Sequence, residues 1–171
     1  MRSSIGIDIA APADLVFRLA RDVERWPEFL PHYVSAGREA PPDPAGRMLV
    51  RFVARRPLIR VLGLGLPVAW RSLTWSNAAD RTLHFAHRGG ATNGMDVTWR
   101  ISARAVGGVC RVDIEHDFRP RVPGWARLID RLFTAPIAGR TLATFRAIAE
   151  AVAATDAADQ SGAAAPTHSP A

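Results

Sequence analysis

The sequence predicts an α+β fold: a curved antiparallel sheet of about seven strands wrapped around a long C-terminal helix, with two short helices after the first strand. Three observations lead there. Apolar and polar residues alternate with period two in successive segments between Ser4 and Phe118. Several of these strands have one apolar and one polar face, as in an antiparallel sheet covered on one side only. Beyond Pro120 and Pro123 the pattern changes to apolar stripes at helical spacing, long enough to cover that sheet. A curved sheet gripping a helix leaves a cavity between them, where ligands commonly bind.

The elements follow in order. Ser4 to Ala10 puts Ile5, Ile7 and Ile9 on one face and Gly6 and Asp8 on the other, a strand with one buried side. Pro12 opens a short helix with Leu15, Val16, Leu19 and Ala20 at helical spacing. Arg21 to Tyr33 crowds Trp26, Phe29, Leu30 and Tyr33 around Pro27 and Pro31. Proline fixes its own φ and biases the preceding residue away from helix. This segment therefore reads as short helical turns presenting aromatics from a bent surface, either a cavity wall or a core corner.

Val34 to Ala40 is a strand, and Pro41 to Gly46 a turn. Met48, Val50, Phe52 and Ala54 share one face of the next strand, with Arg47, Arg51 and Arg55 on the other. Pro57 to Pro67 contains Gly63 and Gly65 and reads as a long apolar hairpin or lid. Strands at Val68 to Ser76 and Thr82 to Arg88 flank a turn at Ala78 to Arg81. Gly89-Gly90, Asn93-Gly94 and Gly107-Gly108 signal further turns. Met95, Val97, Trp99 and Ile101 alternate with polar residues. So do Cys110, Val112, Ile114, His116 and Phe118.

In the helical remainder Leu128, Ile129, Leu132 and Phe133 form one stripe; Leu142, Phe145, Ile148, Ala149 and Val152 form another. Pro136 and Gly139 between them predict a kink or two helices end to end. From Thr155 apolar periodicity is lost. Residues 1–154 are thus expected to form the domain and 155–171 a disordered tail.

Composition narrows the chemistry. The chain of 171 residues is one domain by length, and 48% of it is apolar. No apolar run approaches the ~20 residues that cross a bilayer, and the N-terminus does not resemble a signal peptide, so the default expectation is cytoplasmic. The lone Cys110 excludes an internal disulfide and any multi-cysteine zinc site. All 22 basic residues are arginine, which removes Schiff-base chemistry on a lysine and the P-loop signature. The net charge of +6 is concentrated between Pro44 and Ala79, where six arginines stand without an acid. That stretch is also apolar. Basic and apolar together suit a membrane surface, an acidic ligand or a partner surface better than duplex DNA; the plain alternative is a solvated arginine face.

The order of elements and four motifs resemble the START-like, helix-grip superfamily, also called SRPBCC proteins, from about Ile5 to Val152. Within it the polyketide cyclase/dehydrase and coenzyme Q-binding branch is most similar. The motifs are Asp22 to Pro31, Asn93-Gly94-Met95-Asp96-Val97 with Trp99, Val112 to His116, and Ala138-Gly139-Arg140-Thr141-Leu142. The resemblance implies a deep pocket for a greasy or aromatic ligand, with no metal, nucleotide or other cofactor. Some members are aromatase/cyclases that fold and dehydrate a carrier-bound poly-β-ketone; others bind ubiquinone or lipids and catalyse nothing. The cyclases use arginine and serine on the strand matching Val68 to Ser76. Here Arg71 and Ser72 are adjacent, so a regular strand sends them to opposite faces.

Candidate site residues follow from these patterns. His116 shares the inward parity of its strand and can exchange protons with a ketone or hydroxyl, its free pKa lying near ~6.5; the plain alternative is a core histidine bonded to a helix carbonyl or to Tyr33. Tyr33, the single tyrosine, is either a donor or acid at the pocket mouth or an interfacial aromatic with its hydroxyl in water. Arg71, if inward, would meet a ligand carboxylate or enolate, because an unpaired buried arginine is too costly. Trp26, Phe29, Leu30, Trp70 and Trp99 are candidates for apolar wall, the three tryptophans serving either there or as plain core, and Ser72 shares the Trp70 face. His32 is expected to be exposed. His84 and His87, three apart on a strand, face opposite sides and make no metal pair.

Three functions remain open. The first is binding of a small aromatic, polyketide or isoprenoid ligand. The second is a polyketide aromatase/cyclase or dehydratase acting through His116, Tyr33 and Arg71. The third is a membrane-peripheral quinone or lipid chaperone, with Leu58 to Leu66 as a lid flanked by Arg55, Arg56 and Arg60. Those arginines would equally meet an acyl carrier protein. No nucleic-acid partner is expected.

Overall fold

A computed structural model describes residues 1–59, 64–105, 107–120, 122 and 124–163. Strand β1 (Arg2–Ile9) is followed by helix α1 (Ala13–Arg21), a 3-10 turn at Val23–Arg25 and the short helix α2 (Trp26–Phe29). Strands β2 (Tyr33–Arg38), β3 (Met48–Ile59), β4 (Leu64–Asn77), β5 (Thr82–Arg88), β6 (Met95–Ala103) and β7 (Cys110–Phe118) come next. Helix α3 (Trp125–Ile129), a π-helical turn at Asp130–Thr134 and helix α4 (Ala135–Ala163) complete the described chain. The strands form one sheet in the order β1-β7-β6-β5-β4-β3-β2, and every pairing is antiparallel.

Local chemistry explains the corner after β1. Pro12 is extended and stands at the N-cap of α1. Pro27 sits in the first turn of α2, where its missing N–H would have had no partner in any case. Leu30 ends that helix: its N–H bonds the Trp26 carbonyl at 2.7 Å while its own backbone turns extended ahead of Pro31. The turn between β2 and β3 is built on Asp43, whose Oδ1 accepts the Ala45 and Arg47 amides at 2.9 Å each.

The segment expected as a hairpin or lid continues both neighbouring strands. Pro57 pairs with Gly65 and Ile59 with Leu64, so β3 and β4 form one long hairpin. The side chains of 56–66, including Arg56, Arg60 and the apolar lid itself, lie outside the described residues.

In the C-terminal half, α3 and α4 run end to end through the π turn at Asp130–Thr134, in line with the expected kink or pair of helices, and Pro136 falls in the first turn of α4. A π turn re-routes the hydrogen-bond ladder, which is how a helix can absorb a residue that cannot donate. One expectation there is corrected. Helix α4 continues through Thr155 to Ala163, well into the stretch expected to be disordered. Alanines 151, 153, 154, 157 and 158 carry it, because alanine has the highest helix propensity even without an apolar stripe.

The core lies between the inner face of the sheet and α4. On β7 the alternation is complete: Val112, Ile114, His116 and Phe118 are buried, while the acids between them face out. Those acids meet arginines: Arg111 with Asp113 at 2.9 Å, Arg100 with Glu115 at 3.3 Å and Arg2 with Asp117 at 3.2 Å. From α4, Ala138, Leu142, Phe145 and Ala149 close the core. The expected stripe on α3 holds only in part. Ile129 is buried, but Leu128 is 47% exposed.

Candidate functional site

Trp26 forms the floor of the space between sheet and helix. Its indole Nε1 donates to the Ala20 carbonyl at 3.1 Å, which fixes the ring. Around it stand Tyr33 at 5.2 Å and Trp99 at 5.4 Å between ring centroids, with Phe85 at 5.7 Å and Phe52 and Phe145 at 5.9 Å. The rings meet Trp26 at interplanar angles from 30° to 78°. Beside them lies an apolar cavity of about 120 Å³. Lining residues that reach solvent, among them Val68 and Ala69 of β4, Ala91 and Thr92 after β5, and Thr134 and Ile137 of the closing helix, mark its mouth.

Polar groups on the wall are few. His116 is 5% exposed and lines the cavity from β7. No described residue hydrogen-bonds its ring. Burial pushes its pKa down to about 4, against a smaller opposing pull from Asp130. His87 enters from β5, its Nδ1 2.9 Å from Thr92 Oγ1 and its ring stacked on Trp70 at 6.1 Å and 17°. Burial, and secondarily the neighbouring His116, lowers its pKa to about 3. Both rings are therefore neutral at pH 7, and each offers one donor and one acceptor nitrogen. The Tyr33 phenol also faces this space, and burial raises its pKa, so it stays protonated.

Behind Tyr33 lies a second polar pair. His32 Nε2 is 2.9 Å from Thr141 Oγ1, and Thr141 donates its single proton to the Ile137 carbonyl at 2.8 Å. His32 Nε2 must then carry hydrogen, and its buried Nδ1 has no partner among the described residues. Burial, with Arg140 nearby, lowers its pKa to about 4, in keeping with a neutral ring.

The sequence-predicted candidates divide into three groups. Trp26, Tyr33, Trp70, Trp99 and His116 all border the cavity. Phe29, Leu30 and Ser72 do not. Phe29 meets Phe145 edge-on at 5.5 Å, Leu30 is fully buried, and Ser72 is buried between Val50 and His87 in the sheet. Arg71 is corrected outright: it stands on the outer face and pairs with Glu39 at 2.8 Å. The physical reason is strand parity, since β4 runs through Arg71 and Ser72 without a register shift. Arg55, one of the expected partner-facing cations, is exposed on β3.

His32 is also corrected. It is 2% exposed rather than solvent-facing, because the backbone after α2 turns its ring inward onto Thr141. His87 and Thr141 were missed as wall residues. For His87 the signal was present: Leu83, Phe85 and His87 alternate along one strand face. Thr141 carried a weaker one, lying one helical turn before Phe145.

The fold and this apolar, sparsely polar cavity define a helix-grip protein of the START-like class. A sequence profile for the family "Polyketide cyclase / dehydrase and lipid transport" matches residues 2–154, and the chain belongs to that family. No curated protein matches it. Among solved structures, the Zhui aromatase/cyclase from Streptomyces sp. R1128 is similar with a TM-score of 0.70 at 17% identity, over 88% of this chain and 93% of that one. A START superfamily protein from Mycobacterium smegmatis gives 0.63 at 15% identity, over 88% and 98%. The di-domain ARO/CYC BexL from the BE-7585A biosynthetic pathway gives 0.66 at 23% identity, over 85% of this chain; the chain spans 45% of that protein. These likenesses concern the fold.

Proposed function

We propose that this protein binds a small hydrophobic ligand with a planar ring in the cavity between its sheet and α4. The observation that carries this reading is the aromatic box of Trp26, Phe52, Trp70, Phe85 and Trp99 around unfilled space. A volume of about 120 Å³ is close to the ~150 Å³ of an engineered cavity that holds benzene. The enclosed part therefore fits one ring, and the remainder of a polyketide or isoprenoid extends through the mouth. Trp70 and Trp99 supply flat contact, while His87, His116 and Tyr33 orient ring oxygens.

Native mass spectrometry of the freshly purified protein tests this. A retained hydrophobic ligand, or saturable quenching of tryptophan fluorescence by a naphthol that Val97→Phe abolishes, is the expected result. A protein that arrives empty and binds no ring compound would sink the reading.

A second reading, an aromatase/cyclase or dehydratase, is favoured by the three titratable groups on one wall. In it the neutral His116 ring accepts a proton from an activated carbon of a carrier-bound poly-β-ketone. The resulting enolate carbon attacks a ketone carbon, and Tyr33 protonates the alkoxide that forms. Arg71 has no part in this scheme, being paired outside. His116→Ala and Tyr33→Phe are then expected to abolish turnover while binding persists.

A further inference from the structure

Three apolar side chains are exposed where α3 begins: Val122 at 61%, Trp125 at 37% and Leu128 at 47%. They are three residues apart in sequence, while Ala126 and Ile129 take the buried side of the same helix. Arg127 and Arg131 are exposed beside them, and neither is bonded to any described residue. The one acid between Trp125 and Thr134, Asp130, is half-buried and accepts a hydrogen bond from Ser3 at 2.9 Å. The ridge thus carries net positive charge, two arginines against one acid, next to apolar surface. It is also continuous with the cavity mouth, because Trp125 Nε1 donates to the Ala91 carbonyl at 3.1 Å and Ala91 lines that mouth.

We infer that this ridge docks the protein on the surface of an anionic lipid bilayer, with the cavity mouth held at the interface. A tryptophan whose indole N–H is tied and whose ring is half in solvent suits the headgroup level, where such amphipathic rings collect. Leu128 and Val122 enter the acyl boundary, and Arg127 and Arg131 meet anionic headgroups. Among the described residues no helix is long and apolar enough to cross a membrane, so the attachment is peripheral. The expected membrane contact through Arg55, Arg56 and Arg60 concerned a different part of the chain. The inference does not depend on what the cavity holds.

Flotation of the full chain with phosphatidylcholine vesicles, with and without phosphatidylglycerol, is the test. The protein is expected to float with the anionic vesicles only, and less so as salt rises. Arg127→Gln with Arg131→Gln, both exposed and free of described bonds, leaves folding intact and is expected to lower partitioning about thirtyfold, at roughly fivefold per arginine. Brominated lipids are expected to quench wild-type tryptophan fluorescence more than that of Trp125→Phe. Two results overturn the inference. One is a wild-type chain that stays with the lipid-free fraction, which would point to an acidic protein partner. The other is an arginine double variant that floats as well as wild type.

Discussion

His32 and Thr141, 109 residues apart in sequence, meet at 2.9 Å and join the entry of β2 to the closing helix. Because Thr141 spends its proton on Ile137, it can only accept from His32, and the pair is already one partner short at His32 Nδ1. Replacing Thr141 by valine keeps the shape and removes the acceptor. The buried imidazole then has no partner at either nitrogen. Urea unfolding is expected to show a loss of about 1–3 kcal/mol for Thr141→Val, with Thr141→Ser recovering most of it.

Three histidines make stability depend on pH with a defined sign. His32 and His116 are lowered to about 4 and His87 to about 3, all chiefly by burial. In the unfolded chain each titrates near ~6.5. Above that pH both states are neutral and the full stability is present. As pH falls from there towards the folded values, the unfolded chain takes up protons that the folded chain refuses, so stability falls. Urea midpoints are expected to be flat above about pH 7 and to drop steadily towards about pH 4. His116→Phe is expected to make that drop shallower by up to about one proton. Asp14, Asp43 and Asp117, held low by arginine and backbone partners, act only in the more acidic range.

Ser72 has a fully buried hydroxyl with no partner among the described residues, and it does not reach the cavity wall. Its oxygen was taken out of water without compensation. Ser72→Ala is expected to leave ligand binding unchanged and to raise stability by up to about 1 kcal/mol. A measured loss of ligand affinity would show that the hydroxyl reaches the ligand after all.

Gly6 is the small residue under the ionic cluster on β1 and β7. A Cβ there would stand 2.9 Å from the Val112 carbonyl and closer still to the side chains of Asp113 and Arg111. Gly6→Ala is expected to destabilise by about 1–3 kcal/mol, as overpacking does, and a thermal melt would detect it. An unchanged midpoint would mean that the Arg111–Asp113 pair moves aside at little cost.

The strands and their facing were legible because the sheet's periodicity is local. Alternation at Cys110 to Phe118 put His116 inward, and the same rule put Arg71 and Ser72 on opposite faces of β4, leaving the structure to decide which faced in. Applied to Leu83, Phe85 and His87 it would also have found the second cavity histidine. The C-terminal end was less legible. Alanine-rich sequence extends α4 without an apolar stripe, so periodicity alone stopped the helix early. Leu128 read as core because its spacing matched, yet spacing cannot say whether a partner surface stands opposite.

By itself, then, the order of residues determined the class of fold, the facing of nearly every strand and the aromatic character of the inner surface. Those follow from contacts between neighbours two, three or four positions apart. Which inward side chains border open space was decided only when α4 settled across the sheet. Leu30 and Ser72 found packed neighbours there, Trp26 and His116 found a void, and His32 found Thr141. Such outcomes depend on surfaces brought together from opposite ends of the chain, and no local pattern records the gap left between them.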